Sequence, residues 1–217
     1  MIDARAIPLA LYVHLPWCVR KCPYCDFNSH AVPAGGFAEQ AYVRALLEDL
    51  EHAAQRTAGR EIVAVFFGGG TPSLFAPASI ERVLAGARSL LPFTTDAEVT
   101  LEANPGTIEH GRFSEYAAAG VNRVSLGAQS FDDARLAVLG RIHTAGDVER
   151  AVVELQSGGI TNFNLDLMYA LPGQSSAPAL HDVDCALALE PAQVSHYHLT
   201  LEPGTPFAAL PPPGLPG

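Results

Sequence analysis

Cys18, Cys22 and Cys25 stand within eight residues as a CxxxCxxC triplet. They follow an apolar, β-branched run from Leu9 to Leu15, so one tight loop after a strand can wrap three thiolates around one inorganic site. Soft thiolates suit zinc or an iron–sulfur cluster. Three protein ligands on a four-iron cluster leave one iron open, and that position can accept a small ligand through an amine and a carboxylate. Structural zinc would call for a fourth ligand, for which His14 or His30 is at hand. Catalytic zinc on three cysteines, or three packed thiols, completes the alternatives. The fourth cysteine, Cys185, lies in the helical run DVDCALALE and reads as a packing residue on the exterior. His14, His196 and His198 read first as satisfied strand residues and only second as ligands.

A second constellation starts at Phe66-Phe67-Gly68-Gly69-Gly70-Thr71-Pro72, which ends the next apolar run. Its glycines let the backbone approach a ligand with N–H groups exposed, and the lysine of a phosphate loop is missing. Farther on, Glu102 closes a third run, Gln129 follows a fourth, Arg141 sits in a connection, and Asp166 interrupts the apolar FNLDLMY. Buried charges need a partner or a ligand. S-adenosylmethionine (SAM), with a sulfonium, an ammonium, a carboxylate, a ribose diol and an adenine edge, calls for this mixture. A plain Glu102–Arg141 ion pair is the structural alternative.

The elements that must position these residues alternate in period. Strands are expected over Leu9 to Leu15, Ile62 to Phe67, Glu98 to Leu101, Arg123 to Leu126, Asn162 to Met168 and Gln193 to Thr200, most of them as continuous apolar runs covered on both faces. Between them, Tyr42, Leu46, Leu50 and Ala54 recur four apart, and further helices fit Pro77 to Leu90, Ile108 to Ala119, Gly146 to Gln156 and Ala179 to Leu189. Such βα units make a parallel sheet, either an open barrel or a doubly wound sheet. In both, ligands sit at the carboxyl edge, where every motif above falls. After Thr200 the chain reads LEPGTPFAALPPPGLPG, whose prolines and glycines argue against a further regular element. Residues 1–202 are therefore expected to form one core domain, and 203–217 a Pro/Gly-rich linker toward an absent C-terminal domain.

Composition narrows the partners. The 217 residues are 48% hydrophobic and carry 23 acidic against 13 basic side chains, a net charge of −10, with no basic run. A nucleic-acid partner, and with it a zinc-dependent RNA-modifying module, is disfavoured. No stretch reaches the roughly 20 apolar residues of a membrane span, and the N-terminus lacks a leader pattern. The crowded thiols fit metal ligation in a reducing cytoplasm.

Taken together, Tyr12-Val-His14-Leu-Pro16-Trp-Cys18-Val-Arg-Lys-Cys22-Pro-Tyr-Cys25, Gly68-Gly69-Gly70-Thr71-Pro72, Leu126-Gly-Ala-Gln129-Ser-Phe131 and Asp166-Leu-Met-Tyr-Ala-Leu-Pro172-Gly173 resemble the oxygen-independent coproporphyrinogen III oxidase-like radical SAM proteins. The resemblance covers nearly the whole chain. It implies an α/β fold, a partial (β/α)6 TIM-like barrel. It also implies a [4Fe-4S] cluster on Cys18, Cys22 and Cys25, and SAM contacted by Tyr12, Tyr24, Gly69, Gly70, Thr71, Glu102, Gln129, Arg141, Asp166 and Thr200. In the oxidases the residue two beyond the last cluster cysteine is another cysteine, whereas here it is Phe27, in a CDFNSH run similar to the heme chaperone branch. That branch implies heme, recipient hemoproteins and an electron donor as partners of the full-length protein. Its heme motif, His-Asn-x-x-Tyr-Trp, belongs to a C-terminal region beyond this chain.

Overall fold

The computed structural model describes residues 7–57, 59–107 and 112–216. The first strand, β1 (Leu9–Leu15), alternates: Val13 and Leu15 are buried while Tyr12 is 56% exposed. Two short strands follow, β2 (Trp17–Cys18) and β3 (His30–Ala31), then helix α1 (Glu39–Ala54). The chain continues through β4 (Ile62–Gly69), α2 (Pro77–Leu90), β5 (Phe93–Ala103), α3 (Arg112–Ala118), β6 (Arg123–Gln129), α4 (Asp133–Val138) and α5 (Ala145–Ser157). It ends with β7 (Phe163–Tyr169), α6 (Ser176–Ala188), β8 (Gln193–His198) and α7 (Pro206–Ala209).

Six strands among the described residues form one sheet in the order β1-β4-β5-β6-β7-β8, every pair parallel. A doubly wound sheet reverses direction at a switch point. This order never reverses, so each crossover steps the same way. Residues from the end of β4 and from β8 line one cavity, which requires the sheet to curl. The result is the expected partial barrel, open between β1 and β8.

The two faces of the sheet differ chemically. Val13, Leu15, Val65, Phe67, Val99, Leu101, Val124, Leu126, Phe163, Leu165 and Leu167 point outward into one core with Val43 and Leu50 of α1, Ile80 and Val83 of α2, Val148 and Leu155 of α5 and Ala186 of α6. The helices arise from the same logic: α5 opens on a capping box, Thr144 with Asp147, and buries Val148, Val152 and Leu155. Apart from Met168, the opposite parity is largely polar from β5 onward, with Thr100, Glu102, Ser125, Gln129, Asn164, Asp166, Ser195 and Tyr197. Strands covered on both faces by apolar side chains were therefore the wrong expectation. One face packs on helices and the other lines a hydrophilic barrel interior.

Several boundaries also moved. β5 begins at Phe93, because Phe93 pairs with Ile62 at the sheet's lower edge, and β8 stops at His198, leaving Thr200 beyond it. The helix expected over Ile108 to Ala119 is α3, and residues 108–111 lie outside the described part. The tail is not free of regular structure. Thr205 caps α7, Phe207 N–H donates to Pro23 O, and Gly173 N–H donates to Gly214 O. Phe207 joins Leu139, Met168, Leu171 and Leu199 in a small second core at the carboxyl edge.

Candidate cofactor site

The cysteine loop is held from several sides. Trp17 and Cys18 pair with His30 and Ala31, so β2 and β3 close the loop that carries the three thiols. Inside it, Lys21 Nζ donates to Phe27 O at 2.8 Å and Ser29 O at 3.1 Å, Cys25 N–H donates to Cys22 O, and Arg20 Nε donates to Gly140 O. His14, a possible zinc ligand in sequence, bonds Asn28 O through Nε2 and Tyr12 OH through Nδ1, so it is a strut for the loop. The fourth cysteine, Cys185, sits on α6 beside His181. All four cysteines are free thiols. Burial pushes the Cys18 thiol up, against hydrogen bonds from Thr71 and Ser29 that pull it down.

The glycine turn serves the loop as much as a ligand. A Cβ on Gly70 would lie 2.6 Å from Pro16 and Trp17 backbone atoms, and Gly69 has φ +118° with the His14 ring 2.6 Å from where its Cβ would be. Gly70 N–H donates to Leu15 O, and Thr71 N–H to Trp17 O. Gly69 N–H donates to Glu102 Oε2 at 3.0 Å. These N–H groups already have protein partners, so the turn offers a ligand room, not the exposed donors expected.

A cavity of about 320 Å3 opens above this turn at the carboxyl edge of the sheet. Its wall includes Cys18, Cys22, Cys25, Tyr24, Gly69, Gly70, Thr71, Glu102, Gln129, Arg141, Asp166 and Thr200. Tyr12 does not join it, and instead stands on the open inner wall stacked on Phe66 at 6.3 Å. Burial raises the Glu102 carboxyl to about 7, the Gly69 N–H pulling it down and the Asp166 charge pushing it up. Asp166 is raised too, first by burial, while donors from Ser125, Asn164 and Ser195 pull the other way. The pair makes a site that gains by taking a cation.

Arg141 does not pair with Glu102. Its guanidinium donates to Gly127 O at 2.8 Å and faces Cys22 Sγ at 3.7 Å, while its buried Nε has no partner. Tyr24 is packed beside Arg141 and Cys22, and burial drives its hydroxyl well above the usual range. Gln129 sits at φ +69°, a left-handed conformation that costs a non-glycine residue about 1 kcal/mol or more, and accepts from Tyr197 OH at 2.5 Å. Behind Arg141, the buried His143 is pulled down to about 4 by burial and by the Arg141 charge. It is therefore neutral at physiological pH, wedged between Asn104 Oδ1 and Ala128 O. Sequence reasoning missed Asn104, Ser125, Met168 and Tyr197 on this cavity. The signal was present as period-two polarity in Arg123-Val-Ser125, Asn164-Leu-Asp166 and Ser195-His-Tyr197, hidden by reading those runs as apolar throughout.

Three thiols beside an acid pair, an arginine with an open donor and a cavity of small-molecule size can hold a metal cluster and a charged organic cofactor together. The Radical SAM superfamily matches residues 12–186 of this chain. The chain belongs to the radical SAM superfamily. Among relatives, the "Heme chaperone HemW" of Escherichia coli is 51% identical over 206 residues, covering 94% of this chain and 54% of its own length. The bovine "Radical S-adenosyl methionine domain-containing protein 1, mitochondrial" is 41% identical over 90% of this chain and 44% of its own. Among solved structures, the coproporphyrinogen III oxidase HemN of Escherichia coli, a radical SAM enzyme, aligns with a TM-score of 0.82 at 30% identity, covering 93% of this chain and 46% of that one. This chain thus spans about half the length of its curated relatives.

Membership of the superfamily implies a [4Fe-4S] cluster and SAM, and the residues fit both. Among the described residues, no three of His, Cys, Asp and Glu converge tightly enough for a single metal ion. A cubane places each thiolate on a different iron, so its cysteines stand farther apart than ligands of one ion, as an open loop allows. The orphaned Arg141 Nε and the raised acids Glu102 and Asp166 are the matching signs of a missing charged partner. Among the described residues no helix is long and apolar enough to cross a membrane.

Proposed function

We propose that this chain is the radical SAM core of a heme chaperone, which in its full-length form binds heme and delivers it to recipient hemoproteins. The observation that carries the reading is Phe27. It is 58% exposed on the cavity wall at the position where the oxidase pattern places a fourth cysteine. The names of the HemW relatives, 36–51% identical over most of the chain, support it. Residues 1–202 form the core in this reading, and 203–217 lead toward the region that completes the protein. An electron donor in the cytoplasm reduces the cluster.

In this reading Cys18, Cys22 and Cys25 would hold the cluster, and their three thiolates would leave it a position open to SAM. Glu102 and Asp166 accept from its polar and cationic groups, and Arg141 Nε supplies a donor for a carboxylate. Gln129 and Thr200 complete the polar wall, Tyr24 buttresses Arg141, Gly69, Gly70 and Thr71 give the cofactor room, and Tyr12 braces the loop through His14. The bound pair supplies one-electron reduction of a sulfonium when an electron is available. Such chemistry also serves the second reading, oxidative decarboxylation of coproporphyrinogen III, favoured by the fold match to HemN.

Anaerobic reconstitution tests the site: about four irons and four sulfides per chain are expected, and Cys22→Ala abolishes them. Stoichiometric zinc without iron refutes the cluster. For the function, the chain extended by its native C-terminal region is assayed for heme transfer to an apo-hemoprotein and for protoporphyrinogen formation. Transfer without decarboxylation is expected, and decarboxylation overturns the chaperone reading.

A further inference from the structure

Below the cavity, the barrel interior holds a cation that the site described above does not use. Arg123, at the start of β6, has a side chain only 12% exposed, and its terminal nitrogen NH1 is buried without a hydrogen-bond partner. Glu98 lies 3.5 Å from its Nε. The other terminal nitrogen begins an ordered sequence of hydrogen bonds that climbs the inner wall. Arg123 NH2 donates to Gln193 Oε1 at 2.6 Å, Gln193 Nε2 donates to Ser195 Oγ at 3.4 Å, and Ser195 Oγ donates to Asn164 Oδ1 at 3.0 Å. Asn164 then spends both amide protons, one on Asp166 Oδ1 at 2.8 Å and one on Ser125 Oγ at 2.9 Å. Ser125 in turn donates to Asp166 Oδ2 at 2.9 Å.

Every link runs the same way, donor to acceptor, from a guanidinium to a carboxylate. Hydrogen bonds aligned head to tail polarise one another, and the ionised ends make the chain stronger than its neutral links alone. Asp166 Oδ1 accepts from Asn164 and Oδ2 from Ser125, and the neighbouring Ser195 hydroxyl also acts on the carboxylate, so it is held in place on the cavity wall. A buried carboxylate left alone would take up a proton and become a donor. The register makes the chain possible: Asn164 lies beside Ser125 on one flank and Gln193 on the other, and Asp166 lies beside Ser195.

We propose that Arg123, Gln193, Ser195 and Asn164 are positioning residues for Asp166, a directional hydrogen-bond chain that keeps this carboxylate ionised and aimed to accept from the cofactor. The inference rests on the reading that Asp166 contacts SAM, and it adds a specificity device. A chain that ends on an anion favours a ligand presenting donors or positive charge at that point over a neutral isostere.

The test uses cluster-loaded chain under anaerobic conditions, with SAM affinity read by equilibrium dialysis and iron content measured alongside. Ser195→Ala cuts the chain in the middle without touching the cavity wall. Affinity is expected to fall roughly five- to tenfold, the effect of weakening one charge-assisted hydrogen bond, with iron unchanged and Ser195→Thr restoring it. Gln193→Ala, at an exposed position, breaks a second link and should move affinity the same way. In an Asp166→Asn background, Ser195→Ala should add no further loss, because the acceptor it supports is gone. Unchanged affinity in Ser195→Ala, or an equal loss in both backgrounds, overturns the proposal while leaving Asp166 as a contact. Equal SAM affinity of the unaltered chain and Asp166→Asn removes Asp166 as a contact, and overturns that reading and the proposal together.

Discussion

The outer and inner faces of this one sheet carry the same backbone and opposite chemistry. On the outer face Leu101, Val124, Phe163 and Leu165 are fully buried against helices, and each contributes through transfer from water and close packing. On the inner face Glu102, Asp166, Arg123 and Arg141 sit among hydrogen bonds, with two arginine nitrogens unpartnered and two carboxyls raised by burial. The first face stabilises the fold and tolerates no polarity. The second costs stability and makes sense as a surface waiting for a charged ligand. A strand alternates its side chains every residue, so both jobs fit on the same seven residues of β7.

The comparison is sharpest where neighbours in sequence should behave oppositely. Leu165→Ala, on the outer face, should lower folding stability by about 2–5 kcal/mol in denaturant titration, with SAM affinity per folded, cluster-loaded molecule little changed. A loss of SAM affinity without a loss of stability would break the distinction. Asp166→Ala, one residue on, should weaken SAM binding about tenfold or more, as expected for losing one charged contact. Iron content should stay intact, and the chain should unfold at nearly the same denaturant concentration.

A smaller effect tests the electrostatics of the inner face. Glu102 holds its proton up to about pH 7 in the folded chain, against 4.5 for the free group. The folded state therefore binds the proton more tightly. The stability from Glu102 is full below about 4.5 and is lost as pH rises toward 7. A cationic cofactor favours the ionised form, so SAM affinity should rise as pH climbs through this window and level off above 7. Glu102→Gln should flatten that step, and a profile identical in both forms would assign the titration elsewhere. The smallest expected change is at Cys185, where replacement by Ala should leave iron and SAM binding untouched, because the residue lies on α6 away from the cavity wall.

Much of the site could be read before the fold was known. The CxxxCxxC spacing announces three thiolates on one loop, the glycine turn, Glu102 and Gln129 each fall at or near a strand end, Asp166 stands as a lone charge inside an apolar strand, and Arg141 sits in a connection. The cysteine loop was legible because its ligands stand within eight residues, so local chain geometry alone brings them together. Tyr12 shares the inner face with Glu102, whose charge it feels, and stacks on Phe66 beside the cavity wall. The tail misled because proline and glycine report local propensity, and α7 exists only through the contacts of Phe207 with Pro23 and the second core.

The sequence by itself determined the donor types, the alternation of strands and helices, and the order in which polar residues meet the carboxyl edge. Tertiary structure alone decided that Arg141 turns to Cys22 and Gly127, away from Glu102, and that Glu102 spends an oxygen on Gly69. It alone placed Arg123, Gln193, Ser195 and Asn164 in line beneath Asp166. Arg123 and its partner Gln193 alone lie 70 positions apart along the chain, and no local pattern links the four residues. Their partnership depends on the pairing register of β6, β7 and β8, where a slip of one residue would turn every member to the outer face.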